Sequence, residues 1–144
     1  MNKALLVFGL AVLPFATGPS AVPHALASRL DGTSWVLATL GGRTLTGHSR
    51  ITLAFEQGRV RGTDGCNQYS GPYSAAETRL EIGPEVMSTQ MGCPAEIMRW
   101  ASTYMSVLLG AKAYRINNGE LLLVGATGAV VAIFVTPTKP SSSP

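Results

Sequence analysis

Val60-Arg61-Gly62-Thr63-Asp64-Gly65-Cys66-Asn67-Gln68-Tyr69-Ser70-Gly71-Pro72-Tyr73 is the stretch on which the reading of this chain turns. It gathers glycines, one of only two cysteines, an asparagine and two tyrosines. Glycine permits a positive φ or the close approach of another segment. Tyrosine offers a broad apolar face with a polar tip. The pattern predicts a strand ending near Gly62, a tight turn around Asp64-Gly65, and a second short strand near Pro72-Tyr73-Ser74. Asp64 and Asn67 flank Cys66 like site residues, but their short side chains also hydrogen-bond local backbone, and the turn role is the plainer one.

Upstream, Ile51, Leu53 and Phe55 alternate with Thr52 and Ala54, the period of a strand with one buried face. Glu56-Gln57-Gly58 turns the chain, and Arg59-Val60-Arg61 returns with Val60 inward and both arginines in solvent. Trp35 to Leu40 reads as the opening strand, with Trp35 as a core anchor, and Gly41-Gly42-Arg43 as a turn. Downstream, Ala75 to Thr78 reads as a connector, Leu80 and Ile82 alternate with Arg79 and Glu81, and Val86 to Met91 is extended.

Pro94 to Leu109 predicts the one helix, with Ile97, Trp100, Ala101, Tyr104, Val107 and Leu108 on one face and Gly110 as its C-cap. Trp100, Tyr104 and Met105 form a candidate ligand face; a helix simply packed on a sheet is the plainer alternative. Three strands close the domain, 113–116, 120–124 and 130–135, the first two joined by an Asn118-Gly119 turn suited to a type I′ hairpin. The fold class is therefore α+β, with an antiparallel curled or barrel-like sheet of about seven to nine short strands and one packed helix.

The ends set the context. A basic start at Lys3, an apolar run from Ala4 to Phe15 and a closing Ala25-Leu26-Ala27 make the three-part pattern of a secretory signal peptide over residues 1–27. That run is about twelve residues, where a spanning helix needs roughly 20. No cysteine lies near the cleavage site to take a lipid. Residues 28–135 form the domain, and the proline- and serine-rich 136–144 reads as a disordered tail. Without Lys3 the balance is ten Lys and Arg against eight Asp and Glu, scattered along the chain. A nucleic-acid groove needs clustered cations, so no nucleic-acid partner is expected. The expected location is outside the cytoplasm, periplasmic or secreted.

Cys66 and Cys93 pair most readily in such an oxidising compartment. A bond between them would tie the glycine-rich corner to the start of the helix. The competing readings are a thiol-dependent enzyme or a redox sensor using both cysteines, with Asn67 and His48 in support. Two cysteines and one histidine at these spacings do not match a zinc pattern, and no cofactor fingerprint is present.

The segment Val60-x-Gly62-x-x-Gly65-Cys66-Asn67-x-Tyr69-x-Gly71-x-Tyr73 resembles the signature of the META domain family, the HslJ-like heat-inducible envelope proteins. Trp35-Val36-Leu37, Leu53-x-Phe55 and Thr89-Gln90-Met91-Gly92-Cys93-Pro94 extend the resemblance over Leu30 to Val135. It implies a small exported module with a partly closed antiparallel sheet, links to heat response, novobiocin resistance, virulence or secretion, and no catalytic reaction. Many members are lipoproteins; this chain lacks their lipid-bearing cysteine. Members often carry an acid midway along the helix, where this chain has Trp100-Ala101. The expectation is a non-enzymatic envelope stress or binding protein, with an unidentified protein or amphipathic ligand as partner. Gly62, Gly65, Asn67, Tyr69 and Gly71 are expected to serve structure.

Overall fold

The computed structural model describes residues 28–46 and 50–138. The expected leader 1–27, residues 139–144 of the expected tail, and His48 lie outside the described residues. Ten strands and one helix follow in order: β1 (Thr33–Leu40), β2 (Arg43–Thr44), β3 (Thr52–Glu56), β4 (Arg59–Thr63), β5 (Gln68–Ala76), β6 (Arg79–Ile82), β7 (Met87–Ser88), α1 (Ala95–Gly110), β8 (Ala113–Asn117), β9 (Glu120–Val124) and β10 (Val130–Val135).

Alternation in the sequence becomes the inside of a barrel. Neighbouring strands pair antiparallel in the order β10-β9-β8-β6-β5-β4-β3-β1, and β1 pairs back onto β10, so eight strands close on themselves. Closure leaves the barrel strands without free edges. The short β2 and β7 add to β1 and β5. Ile51, Leu53, Phe55, Val60, Leu80, Leu121, Leu123 and Phe134 fill the interior, all at most 1% exposed. Along β1 the inward residues are Trp35, Leu37 and then Leu40, because a bulge between Leu37 and Thr39 shifts the phase by one residue. Arg59 and Arg61 face solvent; Arg61 Nη2 lies 3.1 Å from Glu56 Oε2, a surface pair worth little.

Three local expectations need correction. β5 is one nine-residue strand beginning at Gln68 and including Ala75 and Ala76, which the sequence marked as connector. It serves two ladders in succession: 68–72 pair with β4, and 73–76 with β6. Pro72 ends the first ladder, where a missing N–H costs least. Arg43, read as part of a turn, starts β2. Gly110 is the last residue of α1 rather than its cap; Ala111, extended at φ −64°, terminates the helix. The Asn118-Gly119 turn is as expected, with both residues at positive φ.

The helix presents Ala101, Tyr104 and Leu108 to the core and leaves Ile97, Trp100, Met105 and Val107 half-buried. Its Tyr104 ring meets Phe134 edge-on at 6.3 Å between centroids. No described helix is long and apolar enough to cross a membrane.

Candidate functional site

The corner between β4 and β5 is built by its own polar groups. Asp64, 4% exposed, accepts through Oδ1 from the backbone N–H of Cys66 at 2.8 Å and of Asn67 at 2.6 Å. Gly65 between them takes φ +97°. Asn67 Oδ1 accepts from the Met91 N–H at 2.7 Å and from the Thr89 hydroxyl at 3.1 Å. Thr89 N also donates to Gln68 O at 3.0 Å, and Gln68 N donates to the Thr89 hydroxyl oxygen at 3.1 Å. Cys66 and Cys93 form a disulfide across a 27-residue separation. The two halves of the sequence signature are thus fastened to one another by a covalent bond and an asparagine bridge.

Gly62 and Gly71 are required by contact. A Cβ on Gly62 would lie 2.0 Å from the Thr52 carbonyl oxygen and 2.8 Å from the Tyr69 hydroxyl. A Cβ on Gly71 would lie 2.6 Å from Val86 Cγ2. The space left by Gly62 is used by a buried tyrosine pair. Tyr69 Oη and Tyr104 Oη are 2.7 Å apart, and Tyr69 donates to Thr52 O at 2.8 Å. Among the described residues no buried side-chain nitrogen or oxygen lacks a partner.

Both phenols hold their protons far above the ordinary tyrosine value. For Tyr69 burial is the main cause, opposed by the Tyr104 hydrogen bond and reinforced by the Asp64 charge. For Tyr104 burial again leads, reinforced by Tyr69 and Asp64. In the unfolded chain these groups ionise near pH 10. Above that pH the unfolded state sheds protons that the folded state keeps. Stability is therefore complete below about pH 10 and falls as pH rises beyond it, by up to about 1.4 kcal/mol per pH unit for each tyrosine. Urea midpoints from about pH 8 to about pH 12 should show this decline, and Tyr104→Phe should make it shallower. A midpoint constant across that range would contradict it.

The structure separates the three residues of the candidate ligand face. Tyr104 is 0% exposed and belongs to the core, so it is withdrawn from any ligand surface. The helical period puts Trp100 and Tyr104 on one stripe, but only a residue at the stripe's margin reaches solvent. Trp100 is half-buried beside a cleft of about 350 Å³ shared with Leu40, Gly41, Arg43, Arg99 and Thr103, with Glu96 as its one acid. The Arg43 guanidinium carbon sits 5.3 Å from the Trp100 ring centroid. Neither Arg43 nor Arg99 is in an ion pair among the described residues. Met105 lines a different cleft, of about 480 Å³, between α1 and the segment Ser88–Gly92. Sequence reasoning missed Arg43 and Arg99: they are 56 residues apart in the chain and only β2 brings the first beside the helix. A third cleft beside β6, lined by Arg79, Glu81 and Lys112, collects none of the expected site residues. With both sulfurs in the disulfide, neither cysteine presents a thiolate in this state.

A closed antiparallel barrel with one packed helix, stapled from the Gly-Cys-Asn corner to Cys93, two residues before the helix, defines a small disulfide-bonded α+β barrel domain. The chain belongs to the META domain family, whose model matches residues 28–138. It is similar in fold to a protein from Burkholderia xenovorans solved by NMR, at 24% identity over 96% of this chain and 100% of that one, with a TM-score of 0.63. A second NMR structure is 18% identical over 72% of this chain and 88% of its own, with a TM-score of 0.58. No curated protein matches the chain.

Proposed function

We propose that this META-domain chain is a non-enzymatic, exported binding module of the cell envelope that holds an amphipathic anion, free or displayed by a partner protein. The observation that carries this reading is the cleft at Trp100. The half-buried indole supplies apolar surface, while Arg43 and Arg99 supply two guanidinium groups without acidic partners among the described residues. Arginine's planar fork suits carboxylate or phosphate, and the adjoining ring suits an apolar body. Absence of chemistry is supported by the way the Gly-Cys-Asn corner spends its polar groups: Asp64 and Asn67 on local backbone, the two sulfurs on each other, the tyrosine hydroxyls on Thr52 and one another.

Export is supported by the signal-peptide pattern of residues 1–27 and by a disulfide that persists in oxidising compartments. The family's association with heat and envelope stress indicates where a partner should be sought. The test uses the chain titrated with 1-anilinonaphthalene-8-sulfonate, an amphipathic aromatic anion. Saturable binding at one site is expected, weakened about tenfold or more by Trp100→Ala and by Arg43→Ala. Equal affinity in wild type and both variants would remove the cleft from the reading. Capture from envelope extract, with Arg43→Ala as the paired control, then identifies the natural ligand.

A further inference from the structure

β7 carries an open strand edge beside the second cleft on the helix. It pairs with β5 through Tyr69–Ser88 and Ser70–Met87, and Thr89 N donates to Gln68 O at 3.0 Å. Opposed residues of an antiparallel ladder alternate between bonded and unbonded pairs. The Thr89 bond sets the phase: Met87 and Thr89 face β5, and the N–H and C=O of Ser88 between them point to the opposite side. Among the described residues neither group of Ser88 has a partner, and the Gln90 N–H has none either. β8 pairs with β6 only at Arg79–Ala113 and does not reach β7, so the next strand position is vacant. The edge is nevertheless held in shape. The Met91 N–H donates to Asn67 Oδ1 at 2.7 Å, and Cys93 is fixed by the disulfide.

Open edges are usually blunted by charge, by proline or by a bulge. β2, the other short added strand, carries Arg43. Val86-Met87-Ser88-Thr89-Gln90-Met91-Gly92 carries no charge, in a chain whose net charge is +3. The cleft between this segment and α1 has no Lys or Arg, and its one carboxylate, Asp64, is buried and already accepts two backbone N–H bonds. Its apolar surface comes from methionines, of which Met91 and Met98 are 59% and 42% exposed, although cores normally absorb this residue. Thioether arms adapt to apolar side chains of different shape. A charged side chain lodged here would lose water and gain no counter-ion. Unpaired backbone groups on a fixed edge call for a second backbone, and the neutral lining calls for uncharged side chains. We propose that β7 is a docking edge for an extended, uncharged segment of a partner protein. The segment adds as a strand beside Ser88 and rests alternate apolar side chains on Met91 and Met98. This edge is separate from the Trp100 cleft and does not depend on it.

The probe is a blocked peptide of alternating threonine and leucine with a short lysine tail for solubility, titrated into the ¹⁵N-labelled full chain. In the free chain the amides of Thr89 and Met91 should exchange slowly with solvent and those of Ser88 and Gln90 fast. Saturating peptide should slow exchange at Ser88 about tenfold or more. Ser88→Pro removes the outward N–H at an edge position that tolerates proline, and should abolish binding. Ser88→Ala keeps the backbone and should leave affinity unchanged. Met98→Glu, on an exposed helix position, should weaken binding about tenfold or more without disturbing the fold. A peptide with glutamate in place of leucine should bind at least about tenfold more weakly. Peptide binding that leaves Ser88 exchange unchanged would overturn the proposal, as would equal affinity for the glutamate peptide or for Met98→Glu. Protection of Ser88 in the free chain that grows with protein concentration would also overturn it, by giving the edge to a second copy of this chain.

Discussion

Replacing Gly62 by alanine should cost about 3–5 kcal/mol of stability, combining an overpacking penalty of about 1–3 kcal/mol with the loss of a buried acceptor worth a similar amount. The new methyl carbon would lie 2.0 Å from the Thr52 carbonyl oxygen, and backbone on β3 cannot swing aside as a side chain can. Moving Thr52 also takes its carbonyl away from the Tyr69 hydroxyl, whose bond it accepts at 2.8 Å, and leaves the buried Tyr69–Tyr104 pair one acceptor short. For a domain of this size the thermal midpoint should fall by on the order of 15 °C. Gly110→Ala is the matched control. Nothing lies within 4 Å of a Cβ there, and the residue ends a helix, so its stability should hold or rise slightly. Urea unfolding of both variants checks the pair of expectations. A Gly62→Ala protein within about 1 kcal/mol of wild type would show that β3 and β4 can separate at no great cost.

Cys66→Ser and Cys93→Ser should each remove about 3–4 kcal/mol, the loop-closure term for the 27-residue separation. The double variant should lose little more than either single one, since both remove one bond. The Asn67 bridge to Thr89 and Met91 remains in these variants, so the corner should stay attached while the unfolded chain gains freedom. Losses that add in full would contradict the pairing. Mass spectrometry of unreduced protein should find no alkylated cysteine before denaturation. Two thiols that alkylate rapidly in the native state would instead restore the thiol-enzyme or redox-sensor alternative, with His48 as the base to test next.

Much of the fold was legible in the chain because it is local. The alternation at Ile51-Leu53-Phe55, at Val60 and at Leu80-Ile82 needs only a period of two to assign an inner face, and all these residues are buried. Asn118-Gly119 specifies its own hairpin through two positive φ angles. The helix stripe was visible as well, with Ala101, Tyr104 and Leu108 buried as the period requires. The candidate site was less legible. A helical wheel places Trp100, Tyr104 and Met105 close together, yet it does not say where the barrel wall meets the helix, and that contact line puts one in the core and the others in separate clefts.

By itself the sequence determined the family signature, the antiparallel sheet with one helix, and the cysteines available to pair, because strand period, turn chemistry and motif spacing are written in neighbouring residues. Only the tertiary structure decided that β1 returns to β10 and closes the barrel, since a pairing between residues about a hundred positions apart leaves no local mark. The same holds for the reason behind Gly62. The sequence marks a glycine there, but the carbonyl that forbids any larger residue belongs to Thr52 on the neighbouring strand. It holds too for the Arg43–Trp100 and Met91–Met98–Met105 clefts, whose walls come from separate segments and meet only once the barrel has folded against the helix.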